Sequence, residues 1–365
     1  MQSQNSILIL VNTLGFLKSH RSEILERLYE ENWEIDLLSI KNPASIRQTG
    51  PKSFYLQLFY LWKLFRNIIG SRHAVIHVIS PKAILVFLLF RFLFINKNVL
   101  LAFSGFGFLK SLINSSFGFF IVFIFKILIW RFSGIIVVQN SEDVEICIRF
   151  GVDRERIILI RGSGFNYKVA EKCGYLKLSF PTRTRFLFAS RLLKSKGVLD
   201  FIEAANSMYA SGSESEFVIA GGFDENNPSS ITKQQFESLR QSNVVKYIGE
   251  NADILAEIGK SSCVVLPSTY GEGLPKILIE AACLGRAIIT TDLAGCRDAV
   301  LDGETGLLCE PNNINQLVKA MDKIEDEPEL TIMFGNRAKS LGRDLFNVDY
   351  VVGKHMKIYQ RLQDA

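Results

Sequence analysis

Ser268-Thr-Tyr-Gly-Glu-Gly-Leu-Pro-Lys-Ile-Leu-Ile-Glu-Ala-Ala-Cys-Leu-Gly285 is the run whose reading decides the fold. Ahead of it, Cys263 to Leu266 is short, β-branched and apolar, as a buried parallel strand should be. Pro275 suits a first helical position, Leu284-Gly285 suits a helix end, and Ala287 to Thr290 reads as the next strand. Strand, glycine turn, helix and strand make one βαβ unit. Gly271 and Gly273 let the backbone turn tightly, and a helix start offers N–H groups that attract phosphate. Gly273, Leu274 and Pro275 are therefore candidate ligand-binding positions. Glu272 and Glu280, with seven residues between them, are acceptors for hydroxyl groups instead. A phosphate with polyhydroxylated groups on both sides describes a nucleotide sugar. Taken alone, the run also fits an ordinary βαβ unit, with Glu272 at the positive end of the helix dipole and Glu280 solvated.

Working outward, strand patterns alternate with helical ones along the whole chain. In the first half strands are expected at Ile7 to Val11, Ile35 to Ser39, Val75 to Val78, Val99 to Phe103, Ile135 to Gln139 and Ile157 to Ile160. Helical patterns fall at about 19–31, 54–69, 82–94, 114–131 and 141–150. That alternation predicts a parallel sheet covered on both faces. The loop Asn12 to Phe16, containing Gly15, precedes the first helix, which puts His20 and Arg21 in that helix's first turn. A cation there opposes the helix dipole, so the pair reads either as part of a site or as an ordinary surface pair. Ser104-Gly105-Phe-Gly-Phe108 is a second glycine turn at the end of a strand, where open α/β sheets bind ligands; a plain tight turn fits it equally.

The polar segment Arg161 to Thr184 reads as a linker. A second alternation follows, with strands at Phe186 to Ala189, Phe217 to Ala220, Val244 to Ile248, Cys263 to Leu266, Ala287 to Thr290 and Gly306 to Cys309. Helices are expected at 198–209, 314–325, 331–343 and 348–363. Arg191 and Lys196 lie just after the first of these strands, and Gly221-Gly222 after the second. These groups belong to the edge where Glu272 and Glu280 are expected.

With 365 residues, 48% of them hydrophobic and 22% charged, the chain has room for two ordinary domains and is not of disordered composition. Its six cysteines show no C-x-x-C pair and read as reduced cytosolic thiols, and Ile7 to Val11 is too short for a signal-peptide core. The net charge of +5 hides an asymmetry. Residues 1–180 carry 22 Lys and Arg against 12 Asp and Glu, whereas residues 181–365 carry 20 against 25. From Leu37 to Ser141 there are 12 basic residues and no acidic one. Such a face meets an anion. The same region is dense in phenylalanine, at 83–95 and 117–130, which is too apolar for a nucleic-acid groove. Arg91 and Lys126 interrupt both segments, so neither spans a bilayer. A surface lying in the membrane interface is expected, although buried core helices would carry the same pattern.

A departing diphosphate needs positive charge. No D-x-D occurs anywhere in the chain, and four histidines without carboxylate-rich spacing suggest no metal site or other cofactor. Arg191, Lys196 and the helix start after Gly273 would then supply the field. Ser190-Arg191-Leu-x-x-x-Lys196-Gly197, Gly221-Gly222 and Glu272-Gly-Leu-Pro-x-x-x-x-Glu280 together resemble the retaining, metal-independent glycosyltransferase family 4. Val11-Asn12, Ser19-His20-Arg21 and Ser104-Gly105-Phe106-Gly107 are similar to a bacterial branch of it that builds O-antigen, capsule and lipid-linked oligosaccharides. The likeness is close across the C-terminal half.

The resemblance implies an α/β GT-B fold: two Rossmann-like, doubly wound domains facing across a cleft, with a last helix crossing back. Residues 1–164 would form the acceptor- and membrane-facing domain, 165–345 the nucleotide-sugar domain and 346–365 the returning helix. Glu280 would bind ribose hydroxyls, Glu272 would lie by the donor sugar, and Arg191 and Lys196 would hold the diphosphate. Gly15, His20, Arg21, Ser104 and Gly105 would face the acceptor side. Many family members carry a histidine in the loop that here reads Ser104-Gly-Phe-Gly, so no catalytic histidine carries over to it. The implied partners are a UDP-sugar, a glycolipid acceptor and the inner face of the cell membrane, and no nucleic acid. A nucleotide-sugar 2-epimerase, which needs no lipid and no basic, aromatic face, and a non-catalytic sugar-nucleotide- or membrane-binding subunit are the rival readings.

Overall fold

The structure, a computed structural model, describes residues 5–40, 73–89, 98–107, 120, 123, 126–129, 132, 134–177, 179–225, 227–240, 243–250 and 252–364. The chain forms two compact units, Met1–Ser163 with Tyr350–Ala365, and Gly164–Asp349.

The first unit is built on six parallel strands: β1 Ser6–Val11, β2 Glu34–Ser39, β3 Val75–Ile79, β4 Asn98–Ala102, β5 Ile135–Val138 and β6 Ile157–Leu159. Their order across the sheet is β2-β1-β3-β4-β5-β6, every pairing parallel. Strands β1, β3 and β5 are buried along their whole length, which is why their sequences, Ser6 and His77 apart, are apolar throughout rather than alternating.

The second unit repeats the plan with β7 Arg185–Ala189, β8 Glu216–Ala220, β9 Val245–Tyr247, β10 Cys263–Leu266, β11 Ala287–Thr291 and β12 Gly306–Cys309. The order is β12-β11-β10-β7-β8-β9, again all parallel. Read from the β9 edge, this is the third, second, first, fourth, fifth and sixth strand of the unit, the Rossmann order. The order reverses between β7 and β10. Phe186, Phe188, Val264 and Ile288 are fully buried in its core, with helices Val198–Ala210 and Lys276–Cys283 supplying Phe201, Leu278 and Ile279. Both sheets together make the α/β, doubly wound GT-B architecture that the sequence predicts.

All twelve expected strands are present, with ends within one residue. Helices Pro81–Leu89, Ser141–Arg149, Val198–Ala210, Ile314–Asp326 and Val348–Gln363 fall where expected. The helical patterns at 54–69 and most of 114–131 lie outside the described residues, as do ten of the 12 basic residues between Leu37 and Ser141.

Two expectations need correction. The first helix begins at Leu14, not near Ser19, and stops at His20; a second, Ser22–Glu30, follows after Arg21 at φ −142°. His20 therefore ends a helix, where a cation suits the dipole, and Gly15 lies inside one. Arg161 to Thr184 is not simply a linker: Phe165 and Ala170 are buried in the second unit, and Tyr167–Lys172 is a helix. Short helices Tyr167–Lys172, Lys233–Leu239 and Ile254–Gly259 escape the sequence pattern because six or seven residues show too little periodicity.

Candidate active site

Because every strand in the second sheet runs the same way, the loops after β10, β7 and β8 emerge side by side at the C-terminal edge, flanking the point where the order reverses. That is where open α/β sheets take ligands. The β7 loop carries Arg191 and Lys196, the β10 loop Glu272, and the β8 loop Gly221 and Gly222.

Backbone contacts hold the first two loops against each other. Thr269 N donates to Ser195 O at 3.0 Å, and Gly197, at φ 76°, lies where any Cβ would collide with the Pro267 carbonyl oxygen. The β7 loop is also tied outward: Leu192 N donates to Gly222 O at 2.9 Å, and Lys194 N to Ser229 O at 2.7 Å.

Lys196 Nζ pairs with Glu272 Oε2, both side chains mostly buried. Ser268, itself buried, donates from its hydroxyl to the other Glu272 oxygen, Oε1, at 2.9 Å. Thr291 Oγ1 donates to Ser268 O at 2.6 Å, which fixes the serine in turn. The Glu272 carboxylate is thus held from two sides. Gly295, at φ 82°, presses against the Gly273 carbonyl so closely that no side chain would fit. Arg191 Nη1 donates to Asp224 Oδ2 at 2.7 Å and its side chain is over half exposed, so this pair sits on the open side of the loops.

Helix Lys276–Cys283 follows directly, with Pro275 as its N-cap at φ −62° and ψ 126°, one residue before the position expected for it. Leu274 and Pro275 are buried at its start. Glu280 is one turn in, largely buried, with Lys276 Nζ 3.6 Å from its carboxylate. Burial raises its pKa against the opposing pull of Lys276. The buried Cys296 thiol nearby is pushed up to about 12, chiefly by burial and then by Glu272, so it stays neutral.

The second sheet therefore brings Arg191, Lys196, Gly221, Gly222 and Glu272 to one edge, with Gly273, Leu274, Pro275 and Glu280 following in the adjoining helix start. The remaining expected residues belong to the first unit. Ser104 is half-buried after β4, with Gly105 at φ 115°. His20 stacks on Phe16 at 4.6 Å, and Gly15 is exposed. Arg21 is buried, its Nη1 donating to Gly162 O at 3.2 Å. Sequence reasoning missed Ser268, Thr291, Asp224 and Gly295. Ser268 stood within the opening run, four residues from Glu272; Thr291 ends β11, and Asp224 and Gly295 sit on loops after strands distant in sequence. Among the described residues no group of three or more His, Cys, Asp or Glu could hold a metal ion.

Residues 177–341 match the family model described as glycosyl transferases group 1. Among curated proteins, the chain is 27% identical over 244 residues to N,N'-diacetylbacillosaminyl-diphospho-undecaprenol alpha-1,3-N-acetylgalactosaminyltransferase of Campylobacter jejuni, covering 64% of this chain and 62% of that one. It is 24% identical over 160 residues to the capsular polysaccharide biosynthesis glycosyltransferase CapM of Staphylococcus aureus, covering 44% of this chain and 41% of that one. The matched part thus spans less than two thirds of either relative. Among solved structures, sucrose-phosphate synthase from Thermosynechococcus elongatus superposes with a TM-score of 0.77 at 19% identity, over 98% of this chain and 99% of that one. Anabaena HepE, solved with UDP and glucose, gives 0.71 at 16% identity, over 98% and 100%. At such identities the likeness speaks for the fold. The match to glycosyl transferases group 1 covers residues 177–341 and so takes in Arg191, Lys196, Glu272 and Glu280, and the solved structures share the fold of the whole chain.

Proposed function

We propose that the chain is a retaining, metal-independent glycosyltransferase of the family 4 type. It moves a hexose or N-acetylhexosamine from a UDP-sugar to a polyprenyl-diphosphate-linked sugar or another glycolipid in surface polysaccharide synthesis, such as O-antigen or capsule. The observation that carries this reading is the Lys196–Glu272 pair at the reversal point of the second sheet, with Arg191 on the same loop.

In this reading the donor diphosphate lies between Arg191, Lys196 and the start of helix Lys276–Cys283. Arg191 grips it as a planar fork and Lys196 as a compact charge. Both cations already sit on loops fixed by hydrogen bonds, so they stabilise the charge that develops on the leaving diphosphate with little rearrangement. Glu280 accepts from the ribose hydroxyls. Glu272, held by Ser268 and Lys196, lies beside the donor sugar. Front-face attack asks little of a protein base, because the departing phosphate takes the acceptor's proton.

Residues 1–164 would serve the acceptor, with Gly15, His20, Ser104 and Gly105 toward it; 165–345 would hold the donor, and 346–365 would return to the first domain. The enzyme would work at the inner face of the cell membrane. Two relatives support that acceptor class: the name of the Campylobacter protein contains diphospho-undecaprenol, and CapM is named for capsular polysaccharide. HepE supports the donor class, having been solved with UDP and glucose.

The test is transfer of label from a panel of UDP-sugars into a membrane lipid extract with EDTA present. Wild-type protein labels the lipid fraction; Lys196→Ala and Glu272→Ala each lose about 10²- to 10³-fold while keeping the wild-type circular dichroism. Absence of transfer with every UDP-sugar, or full activity in either variant, overturns the reading.

A further inference from the structure

The β8 and β9 loops hold a carboxylate to which the donor reading gives no task. Glu250 follows β9 and is exposed, yet its carboxyl group folds back over Gly222: a Cβ placed on that glycine would meet the carboxyl carbon and Oε2 at 2.5 Å and Oε1 at 2.9 Å. Among the described residues no cation or hydrogen-bond donor engages it.

The backbone beneath it is fixed. Gly221 N donates to Gly249 O at 2.9 Å, and Tyr247 Oη to Gly221 O at 2.8 Å. Gly222 O in turn accepts from Leu192 N at 2.9 Å, the residue next to Arg191. One hydrogen bond therefore separates the Glu250 platform from the loop assigned to the diphosphate. Phe223 lines the same turn, half-buried, with its ring 6.2 Å from that of Tyr247 and 5.7 Å from that of Phe236. A glycine platform, an aromatic wall and an acceptor-only group, one strand away from the diphosphate cations, have the makings of a base subsite.

We propose that Glu250 reads the base of the donor nucleotide, accepting the ring N–H of uracil or guanine and rejecting cytosine and adenine. The inference rests on the donor-site reading above. An ionised carboxylate only accepts hydrogen bonds. Uracil presents N3–H, and guanine N1–H beside an amino N–H. Cytosine N3 and adenine N1 present lone pairs beside an amino N–H instead, so a carboxylate that accepts from the amino group sets its other oxygen against a lone pair, a repulsion that uracil N3–H and guanine N1–H avoid.

The experiment is isothermal titration of UDP, GDP, CDP and ADP into wild-type protein, Glu250→Gln, Glu250→Ala and, as a diphosphate control, Lys196→Ala. Wild-type protein should bind UDP or GDP at least about tenfold more tightly than CDP and ADP, the scale of one hydrogen bond to a charged group. Glu250→Gln, whose amide both donates and accepts, should bring that ratio to within about threefold, mainly by improving CDP or ADP, and Glu250→Ala should lower it by weakening UDP or GDP. Lys196→Ala should weaken all four nucleotides and leave the ratio intact. Tight binding with an unchanged ratio in both Glu250 variants overturns this proposal and spares the donor site. Binding of none of the four to wild-type protein overturns the donor reading and this inference with it. Glu250 lies on the surface, so neither substitution threatens folding.

Discussion

Glu280 shows how one residue can oppose the stability of the fold it serves. It sits largely buried, one turn into helix Lys276–Cys283, and burial raises its pKa above that of an ordinary glutamate. A carboxyl with a raised folded pKa favours folding in full only below its unfolded value, and that contribution is lost as pH rises through the folded value. At neutral pH the ionised group is therefore a net cost, one that binding of hydroxyl groups would offset. Glu280→Gln removes the charge and keeps an acceptor. Its melting temperature at pH 7.5 should be at or above the wild-type value, by about 2 °C, while its affinity for UDP falls about tenfold, the loss expected when a charged acceptor becomes neutral. A lower melting temperature together with unchanged UDP affinity would show that Glu280 is a structural residue. Glu280 was legible in the sequence because it shares one helix with the glycine turn. Asp224 and Glu250 were not, because each meets its neighbour, Arg191 or Gly222, only once the sheet order brings strand ends together, 33 residues apart for Arg191 and Asp224.

Among the elements, the last helix, Val348–Gln363, was readable as a helix from its periodicity, but its anchor was not. Tyr359 Oη lies 2.9 Å from His77 Nδ1, across 282 residues of sequence, and His355 Nδ1 lies 2.8 Å from Val351 O. Trp33 packs near Tyr359, and Arg21 joins the group from the break between the first two helices. The sequence placed Arg21 in a helix's first turn, as part of a site or of a surface pair, because nothing local betrays a helix ending at His20. Its burial explains the break: the chain turns to carry the guanidinium inward to the Gly162 carbonyl. Both histidines are fully buried. Burial, then their mutual repulsion and Arg21, keep His77 well below 6.5; burial and Arg21 take His355 to about 3. A base with a lowered folded pKa contributes stability that is full above 6.5 and lost as pH falls toward the folded value. Each such group costs about 1.4 kcal/mol per pH unit across that window. Thermal melting should accordingly shift steadily downward between pH 6.5 and pH 4.5, and His355→Gln should halve the slope. A melting temperature that stays flat from pH 7 to pH 5 would contradict this account.

At the scale of the whole molecule, both sheets were legible because parallel strands buried on two faces leave continuous apolar runs, and β10 with its glycine turn announced the edge where the candidate site lies. The sequence could not announce strand order, which depends on which strands pair, and so could not show that β7 and β10 are neighbours. Charge placement was legible only as a trend: an acid-free stretch from Leu37 to Ser141 in the half of the chain opposite to the donor constellation. Within that stretch Phe120, Phe123 and Ile127 are helical and 61%, 52% and 54% exposed. Spacings of three and four residues put them on one face of a helix, with the exposed Lys126 beside them. Exposed aromatic and aliphatic side chains with a lysine beside them, in a stretch of sequence without acidic residues, suit the boundary between lipid headgroups and acyl chains, where apolar burial and attraction to anionic lipid act together. The full-length protein should co-sediment with vesicles containing an anionic phospholipid and only weakly with neutral ones. That binding should fall severalfold as salt rises from about 0.1 M to about 0.5 M, because screening removes the electrostatic share first. Phe123→Asp should weaken it severalfold at low salt without moving the melting temperature, since the side chain it replaces is exposed in the folded protein. Equal binding to neutral and anionic vesicles would leave the acid-free stretch without this role, and full binding by Phe123→Asp would remove the aromatic face from it.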